Sequence, residues 1–330
     1  AAADAAVRFG AGAGASRLVT GNHPLYDSLE ARLAALKGTE AAVVFGSGYL
    51  ANLGIIPSLV GPDDLIAVDA LSHACLHAGS VLARSTVRVY RHNDVDALDS
   101  ILAAERDSFR HALIVTDGVF SMDGDLAPLE RLTEVATRHD AWLMTDDAHG
   151  IGVLGDGRGS TFAAAQRASG PVHVPLQMGT LSKAVGSYGG YLCASQPVVD
   201  LIKTRARTLI YTTALPPASL AASLKALEII ERDRDLCARP LDHARLFCRL
   251  TDLPEPETPI VPLIVGEPEA ALQAAAQLDA DGFLVTPIRP PTVPEGTARL
   301  RFTFTAEHRE DDIRRLAASV QRALRPKAVA

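Results

Sequence analysis

The sequence predicts an α/β protein: a mostly parallel central sheet flanked by helices, followed by a smaller C-terminal α+β domain. Three observations carry this. Short apolar runs alternate with amphipathic helical stretches through the middle of the chain. Polar residues with chemical potential follow the ends of those runs. After about Arg234 the character changes, and prolines gather at Pro254, Pro256, Pro259 and Pro262. Strands separated by helices of about ten or more residues need crossover connections, which build a parallel sheet. Ligands on such sheets bind beyond the carboxyl ends of the strands.

In order, Ala41–Phe45 reads as a strand, followed by Gly46-Ser47-Gly48 and a helical pattern from Tyr49. Leu65–Val68 and Val87–Tyr90 are further strands, with a helix around Val95–Arg106. Ala112–Thr116 is a strand, Leu129–Arg138 a helix, and Ala141–Thr145 a strand that runs into Asp146-Asp147. Val172–Met178 and Gly190–Cys193 read as strands. Asp200–Thr208 and Ser219–Arg234 read as helices around the polar turn Tyr211-Thr212-Thr213. The remainder reads as strand Val261–Val265, helix Glu269–Ala280, strand Phe283–Thr286, a proline-rich turn, strand Ala298–Thr303 and helix Glu310–Leu324. The expected division is an N-terminal segment (1–40), a large domain (41–235) and a small domain (236–330).

The 330 residues suit one large and one smaller core, and 48% apolar with 22% charged composition reads as globular rather than disordered. A net charge of −7 argues against a nucleic-acid-binding face. No run approaches the ~18 apolar residues of a membrane span. The first residues lack the charged start and apolar block of a secretory signal. Cys75, Cys193, Cys237 and Cys248 form no C-x-x-C pair and have no histidines at metal spacing. They read as free thiols in a reducing compartment, which predicts a cytoplasmic protein without a metal.

Lysine is the informative residue. Of 32 basic side chains only five are lysine: Lys37, Lys183, Lys203, Lys225 and Lys327. Four have charged neighbours in helical or terminal stretches and read as solvated surface. Lys183 lies between two strands, within Gly179-Thr180-Leu181-Ser182-Lys183-Ala184. Small residues there let a ligand approach the backbone. A partly buried lysine with few charged neighbours can act as nucleophile or base.

Asp146-Asp147-Ala148-His149 directly follows a strand. A carboxylate in that place can hold a pyridinium N–H, and a histidine three residues on can bond the same ligand. A capping aspartate with a surface histidine remains the alternative. Gly46-Ser47-Gly48-Tyr49 opens a helix whose backbone N–H groups can cradle a phosphate, although many strand–helix turns look alike. Arg299 and Arg301 alternate onto one face of the last strand, where a guanidinium suits a substrate carboxylate. For at least one of them a solvated edge-strand position is the expectation. His73, alone after a strand, reads as structural when taken by itself.

Together these segments resemble the α-oxoamine synthase family of pyridoxal-5′-phosphate (PLP) enzymes, with the fold type I architecture of aspartate aminotransferase. The matching pieces, in order, are Gly46–Tyr49, Ser72-His73-Ala74, Phe120–Asp125, Asp146–Gly150, Gly179–Lys183, Thr212-Thr213 and Arg289–Arg301. Ser121–Leu129 and the Ile288–Arg301 stretch look most like the branch that joins L-alanine to a pimeloyl thioester. The resemblance implies the following roles. Lys183 forms the Schiff base with PLP and later moves the α-proton. Asp146 pairs with the pyridine nitrogen. His149 and Ser121 bond the phenolic oxygen side, and His73 stacks on the ring. Gly48, Tyr49 and Thr180 hold the cofactor, chiefly at its phosphate. Thr212 reaches the phosphate of a neighbouring subunit, so a homodimer with its active site at the interface is implied. Arg301 takes the amino-acid carboxylate and Thr292 lies against substrate.

Family members carry several dozen residues before the segment that matches Phe9–Arg17, including an arginine and an asparagine near the acyl substrate. Their counterparts are not in this sequence, and the stretch around Cys237–Thr258 is shorter than usual. The acyl-tail contacts and the choice between coenzyme A and acyl carrier protein are therefore open. The alternatives are a sister acyltransferase using glycine or serine and a non-catalytic PLP-fold subunit. A nicotinamide dehydrogenase lacks its loop, since no strand precedes Gly10–Gly14.

Overall fold

The computed structural model describes residues 1–168 and 170–324. They fall into two compact units. The first comprises Ala1–Val119 and Ala127–Arg234; the second comprises Phe120–Leu126 and the chain from Asp235 onward. The short Phe120–Leu126 stretch thus belongs with the C-terminal unit.

The first unit holds seven strands: β1 (Ala41–Phe45), β2 (Leu65–Asp69), β3 (Thr86–Tyr90), β4 (Ala112–Asp117), β5 (Trp142–Asp146), β6 (Leu176–Thr180) and β7 (Gly190–Ala194). They form one sheet in the order β1-β7-β6-β5-β4-β2-β3. Only the pairings made by β7 are antiparallel; β3, β2, β4, β5 and β6 are parallel in succession. Every residue of β1, β2, β4, β6 and β7 is buried. This is why they read as continuous apolar runs rather than alternating ones. The edge strand β3 alone has consecutive exposed residues, Arg88 and Val89.

Helices α1 (Ala2–Phe9), α2 (Pro24–Lys37), α3 (Gly48–Leu59), α4 (Ala74–Leu82), α5 (Val95–Glu105), α6 (Leu129–Arg138), α7 (Ser160–Ala168), α8 (Gln196–Arg205), α9 (Arg207–Ile210) and α10 (Pro217–Arg232) complete this unit. Helix α6 shows the local logic: Leu129, Leu132, Val135 and Ala136 recur at helical spacing and are its buried face. Helix α3 packs the sheet with Ala51, Ile55 and Ile56, which join Ile66, Val68, Leu113, Val115, Met144 and Met178 in one core cluster. Truncating a fully buried leucine such as Leu113 to alanine costs about 2–5 kcal/mol.

The second unit has a three-stranded antiparallel sheet in the order β8-β10-β9, from β8 (Ile260–Gly266), β9 (Thr286–Ile288) and β10 (Ala298–Thr303). Its helices are α11 (Arg234–Thr251), which begins at the boundary, α12 (Pro268–Ala280) and α13 (Glu310–Ala323). Phe247 packs against Phe302 and Phe304, with ring centroids 4.7 and 5.2 Å apart, in the core of this unit.

Several elements differ from expectation. Strand β6 starts at Leu176 rather than Val172, because Pro171 and Pro175 offer no ladder N–H. The expected helix over Asp200–Thr208 is two helices, broken at Ala206, whose ψ of 103 is not helical. The expected strand Phe283–Thr286 lies later, at Thr286–Ile288. The 18-residue α11 carries Pro240 in its interior, a residue that argues against a helix in sequence.

Candidate active site

Strands β4 and β5 run parallel and end level, with Asp117 opposite Asp146 in the register. Both carboxyls are buried. Asp146 Oδ2 accepts from Asn52 Nδ2 at 2.8 Å, and Oδ1 accepts from the Ala148 N–H at 3.0 Å. Both donors are neutral, and Asp146 forms no ion pair among the described residues. Burial raises its pKa; the Lys183 charge acts in the opposite direction through space. Asp117 is raised well above the carboxylate range, first by burial and then by the negative charge of Asp146, while the His73 N–H at 2.8 Å pulls the other way.

The turn after β6 carries Lys183, and the turn after β5 carries His149. The two meet: Lys183 Nζ lies 3.0 Å from His149 Nε2. Lys183 is exposed on the single chain rather than partly buried. The His149 turn is anchored one step back by Asp147. Its Oδ2 is 2.6 Å from Lys37 Nζ, with both side chains fully buried, and its Oδ1 accepts from the Ser160 N–H at 2.9 Å. Lys37 also donates to the Arg158 carbonyl at 2.6 Å. The surface position expected for Lys37 is therefore wrong. Its neighbours in sequence gave no sign of a carboxylate 110 residues away. Lys225 does lie at the surface, paired with Glu228, whereas Lys203 is half-buried against the buried Glu30; Lys327 lies outside the described residues.

His73 is the residue that precedes α4, and its Nδ1 accepts from the Cys75 N–H at 3.3 Å. The same Nδ1 stands 2.8 Å from Cys75 Sγ, and Sγ in turn receives Asn52 Nδ2 at 3.1 Å. Partial desolvation lowers the His73 pKa; Asp146 raises it and Lys183 lowers it further. Burial, reinforced by the Asp146 charge, pushes the Cys75 thiol up to about 12, so it stays protonated. Asn52, Cys75 and Asp117 were not singled out in sequence. Asp117 had a signal, being a second carboxylate at a strand end. Asn52 had none beyond its place four residues after Gly48.

Helix α3 starts at Gly48, and Ser47 Oγ caps it by accepting from Leu50 N at 3.2 Å. A Cβ on Gly48 would stand 3.2 Å from Met178 Cε and 3.4 Å from Thr180 Cβ, so the backbone there is packed against the end of β6. Thr180 Oγ1 donates to the Gly189 carbonyl at 2.9 Å and sits 2.8 Å from Ser182 Oγ. Tyr49 is exposed and Thr212 half-buried.

The second unit holds Ser121, Thr292 and Arg301. Arg301 Nε donates to the Ser121 carbonyl at 2.5 Å, and Nη1 donates to Thr303 Oγ1 at 3.0 Å. Among the described residues it has no carboxylate partner, and burial alone lowers its pKa. Thr292 is exposed, in a turn closed by its N–H to the Arg289 carbonyl at 3.0 Å. Arg299 is buried, 2.5 Å from Asp123, and also donates to the Thr297 carbonyl. The edge-strand expectation fails for both arginines, because β10 is the central strand of its sheet.

The donor set fits PLP. Asp146 is a buried carboxylate held by neutral donors, and a ring N–H⁺ would supply the cation it lacks. A capped helix start supplies backbone N–H groups for a phosphate, and a lysine amine stands against a histidine. A mostly parallel seven-stranded sheet with these groups at its carboxyl ends defines a cofactor-dependent α/β enzyme.

The model of the aminotransferase class I and II family matches residues 1–320. Among curated relatives, the 8-amino-7-oxononanoate synthase of Beijerinckia indica is 63% identical over 97% of this chain and 82% of its own. That of Methylocella silvestris is 64% identical over 95% and 88%. A solved serine palmitoyltransferase, described as carrying its PLP internal aldimine, aligns with a TM-score of 0.90 at 30% identity, over 98% of this chain and 82% of its own. The chain belongs to the aminotransferase class I and II family and, within it, to the family of its 8-amino-7-oxononanoate synthase relatives.

Proposed function

We propose that the protein is a PLP-dependent C-acyltransferase. In this reading it condenses L-alanine with a pimeloyl thioester to give 8-amino-7-oxononanoate, carbon dioxide and free thiol, a step of biotin biosynthesis. The observation that carries the chemistry is Lys183 Nζ at 3.0 Å from His149 Nε2, on the same sheet edge as the buried Asp146. Identity of 63–64% to synthases of that name supports this substrate pair over serine and a long acyl chain, since the serine palmitoyltransferase is 30% identical.

Bound here, PLP supplies an aldehyde for the substrate amine and a cationic ring that withdraws electrons from the substrate α-carbon. Asp146, ionised, keeps the proton on the ring nitrogen. Asn52 and the Ala148 N–H hold its two oxygens in place. Lys183 carries the cofactor at rest and, once displaced by alanine, takes the α-proton as general base. His149 orients the lysine amine through their contact. Arg301 would offer the guanidinium for the alanine carboxylate, Thr292 would lie against substrate, and Ser121 would bond the phenolic oxygen side. His73 provides the ring face, and Gly48, Tyr49 and Thr180 the phosphate end. Over the whole reaction the acyl carbon would replace the carboxylate on the α-carbon: the thiol and carbon dioxide leave, and Lys183 would return to that carbon the proton it took.

The protein acts as a homodimer in this reading, with Thr212 reaching the partner's phosphate. Leu18, Val19 and Tyr211 support it: they are 64, 74 and 74% exposed on the single chain, an apolar group suited to burial. No helix among the described residues is long and apolar enough to cross a membrane. The function is tested by following thiol release from pimeloyl-CoA with alanine, glycine or serine. Release with alanine alone is expected; release with glycine or serine alone overturns the substrate assignment.

A further inference from the structure

Asn52 is fully buried inside α3, and its Nδ2 faces two acceptors at once: Asp146 Oδ2 at 2.8 Å and Cys75 Sγ at 3.1 Å. The orientation of this amide is fixed by charge. Turned over, its oxygen would confront a carboxylate oxygen at the same distance. The thiol therefore accepts from Asn52, and its own hydrogen must go elsewhere. The next polar atom is His73 Nδ1, 2.8 Å from Sγ, which also accepts from the Cys75 N–H at 3.3 Å. Two donors thus converge on Nδ1, and that nitrogen carries no proton. The ring's remaining proton sits on Nε2, which has no hydrogen-bond partner among the described residues; His73 as a whole is exposed on the single chain. The loop itself is tied down by the His73 N–H to Asp117 Oδ2 at 2.8 Å.

We propose that Asn52 and Cys75 are positioning residues: a one-way relay from the Asn52 amide through the Cys75 thiol holds His73 as the Nε2–H tautomer, and the same amide holds Asp146. The inference rests on the proposed function for its purpose, because it fixes the two groups that flank the cofactor ring with one amide. It leaves Nε2, and not Nδ1, as the ring's donor. A second-layer partner that sets an imidazole tautomer is a recurring device. A thiol can serve here because burial keeps it protonated.

The test is nitrogen NMR of the cofactor-free protein with ring-labelled histidine, using His73→Gln to identify the His73 signals. The wild type should show Nε2 protonated and Nδ1 as a hydrogen-bonded acceptor. Cys75→Ser retains a donor and should keep that pattern. Cys75→Ala leaves Nδ1 only the longer backbone contact from residue 75, at 3.3 Å, so the Nδ1–H tautomer should rise to a measurable share, and so should it in Asn52→Ala, which frees the thiol to turn. A proton on Nδ1 in the wild type overturns the proposal whatever the variants do, and so does an unchanged tautomer in Cys75→Ala. Because no cofactor is present, failure here is distinct from failure of the proposed function, which thiol release decides.

Discussion

Asp117 and Asp146 stand opposite each other at the level ends of two parallel strands, both buried, with His73 N–H on the first and Asn52 on the second. Two such carboxyls cannot both be charged without cost. In the proposed function Asp146 is the ionised one, and Asp117 is then the one that keeps its proton.

This has a pH signature in the cofactor-free protein. Both folded pKa values are raised, Asp117's well above the usual carboxylate range. The folded protein therefore binds protons that the unfolded chain has released. The stability linked to them is present below the ordinary carboxyl pKa and lost as pH rises through the raised values. Asp117→Asn keeps an oxygen for the His73 N–H and removes the titration. Its Tm should exceed the wild type's, by more at about pH 8 than at about pH 5. Calorimetry of both proteins across that range checks it; an equal or reversed difference contradicts it.

The Lys37–Asp147 pair is fully buried and fixes the turn that carries His149. Removing one partner leaves an uncompensated buried charge. Lys37→Met or Asp147→Asn should each cost about 3–5 kcal/mol in urea unfolding. The double variant should lose less than the two together. Full additivity would show that the pair does not act as a unit.

Arg301 is half-buried and has no carboxylate partner among the described residues, although its neighbour Arg299 is neutralised by Asp123. Arg301→Lys keeps the charge but loses the planar fork. The KM for L-alanine should rise about ten- to hundredfold, the worth of one charged hydrogen bond. Steady-state kinetics with alanine varied would read this. An unchanged KM would assign the carboxylate to another group.

The sheet was legible because most of its strands are buried on both faces and read as short apolar runs, and β2, β4, β5 and β6 each end in Asp or Thr. Lys183, Asp146 and His149 could be picked out for the same reason: they follow such ends directly. Arg299 and Arg301 were placed correctly on one face by alternation. Their burial was not legible, since a strand's rank in its sheet is set by pairings far away in sequence. Lys37 was misjudged on the same ground. Pro240 hid helix α11, whose packing of Phe247 on Phe302 and Phe304 outweighs the local penalty. Asn52 and Cys75 lack any local sign, because each acquires its role only when α3 and the start of α4 meet at Asp146 and His73.

Lys183 is the residue proposed to carry the cofactor. This is tested most directly by loading the protein with PLP, reducing it with borohydride, digesting it and locating the pyridoxyl group by mass spectrometry. One labelled peptide is expected, the one containing Lys183, and no label in Lys183→Ala. A label on any other lysine, or none in the wild type, would contradict it.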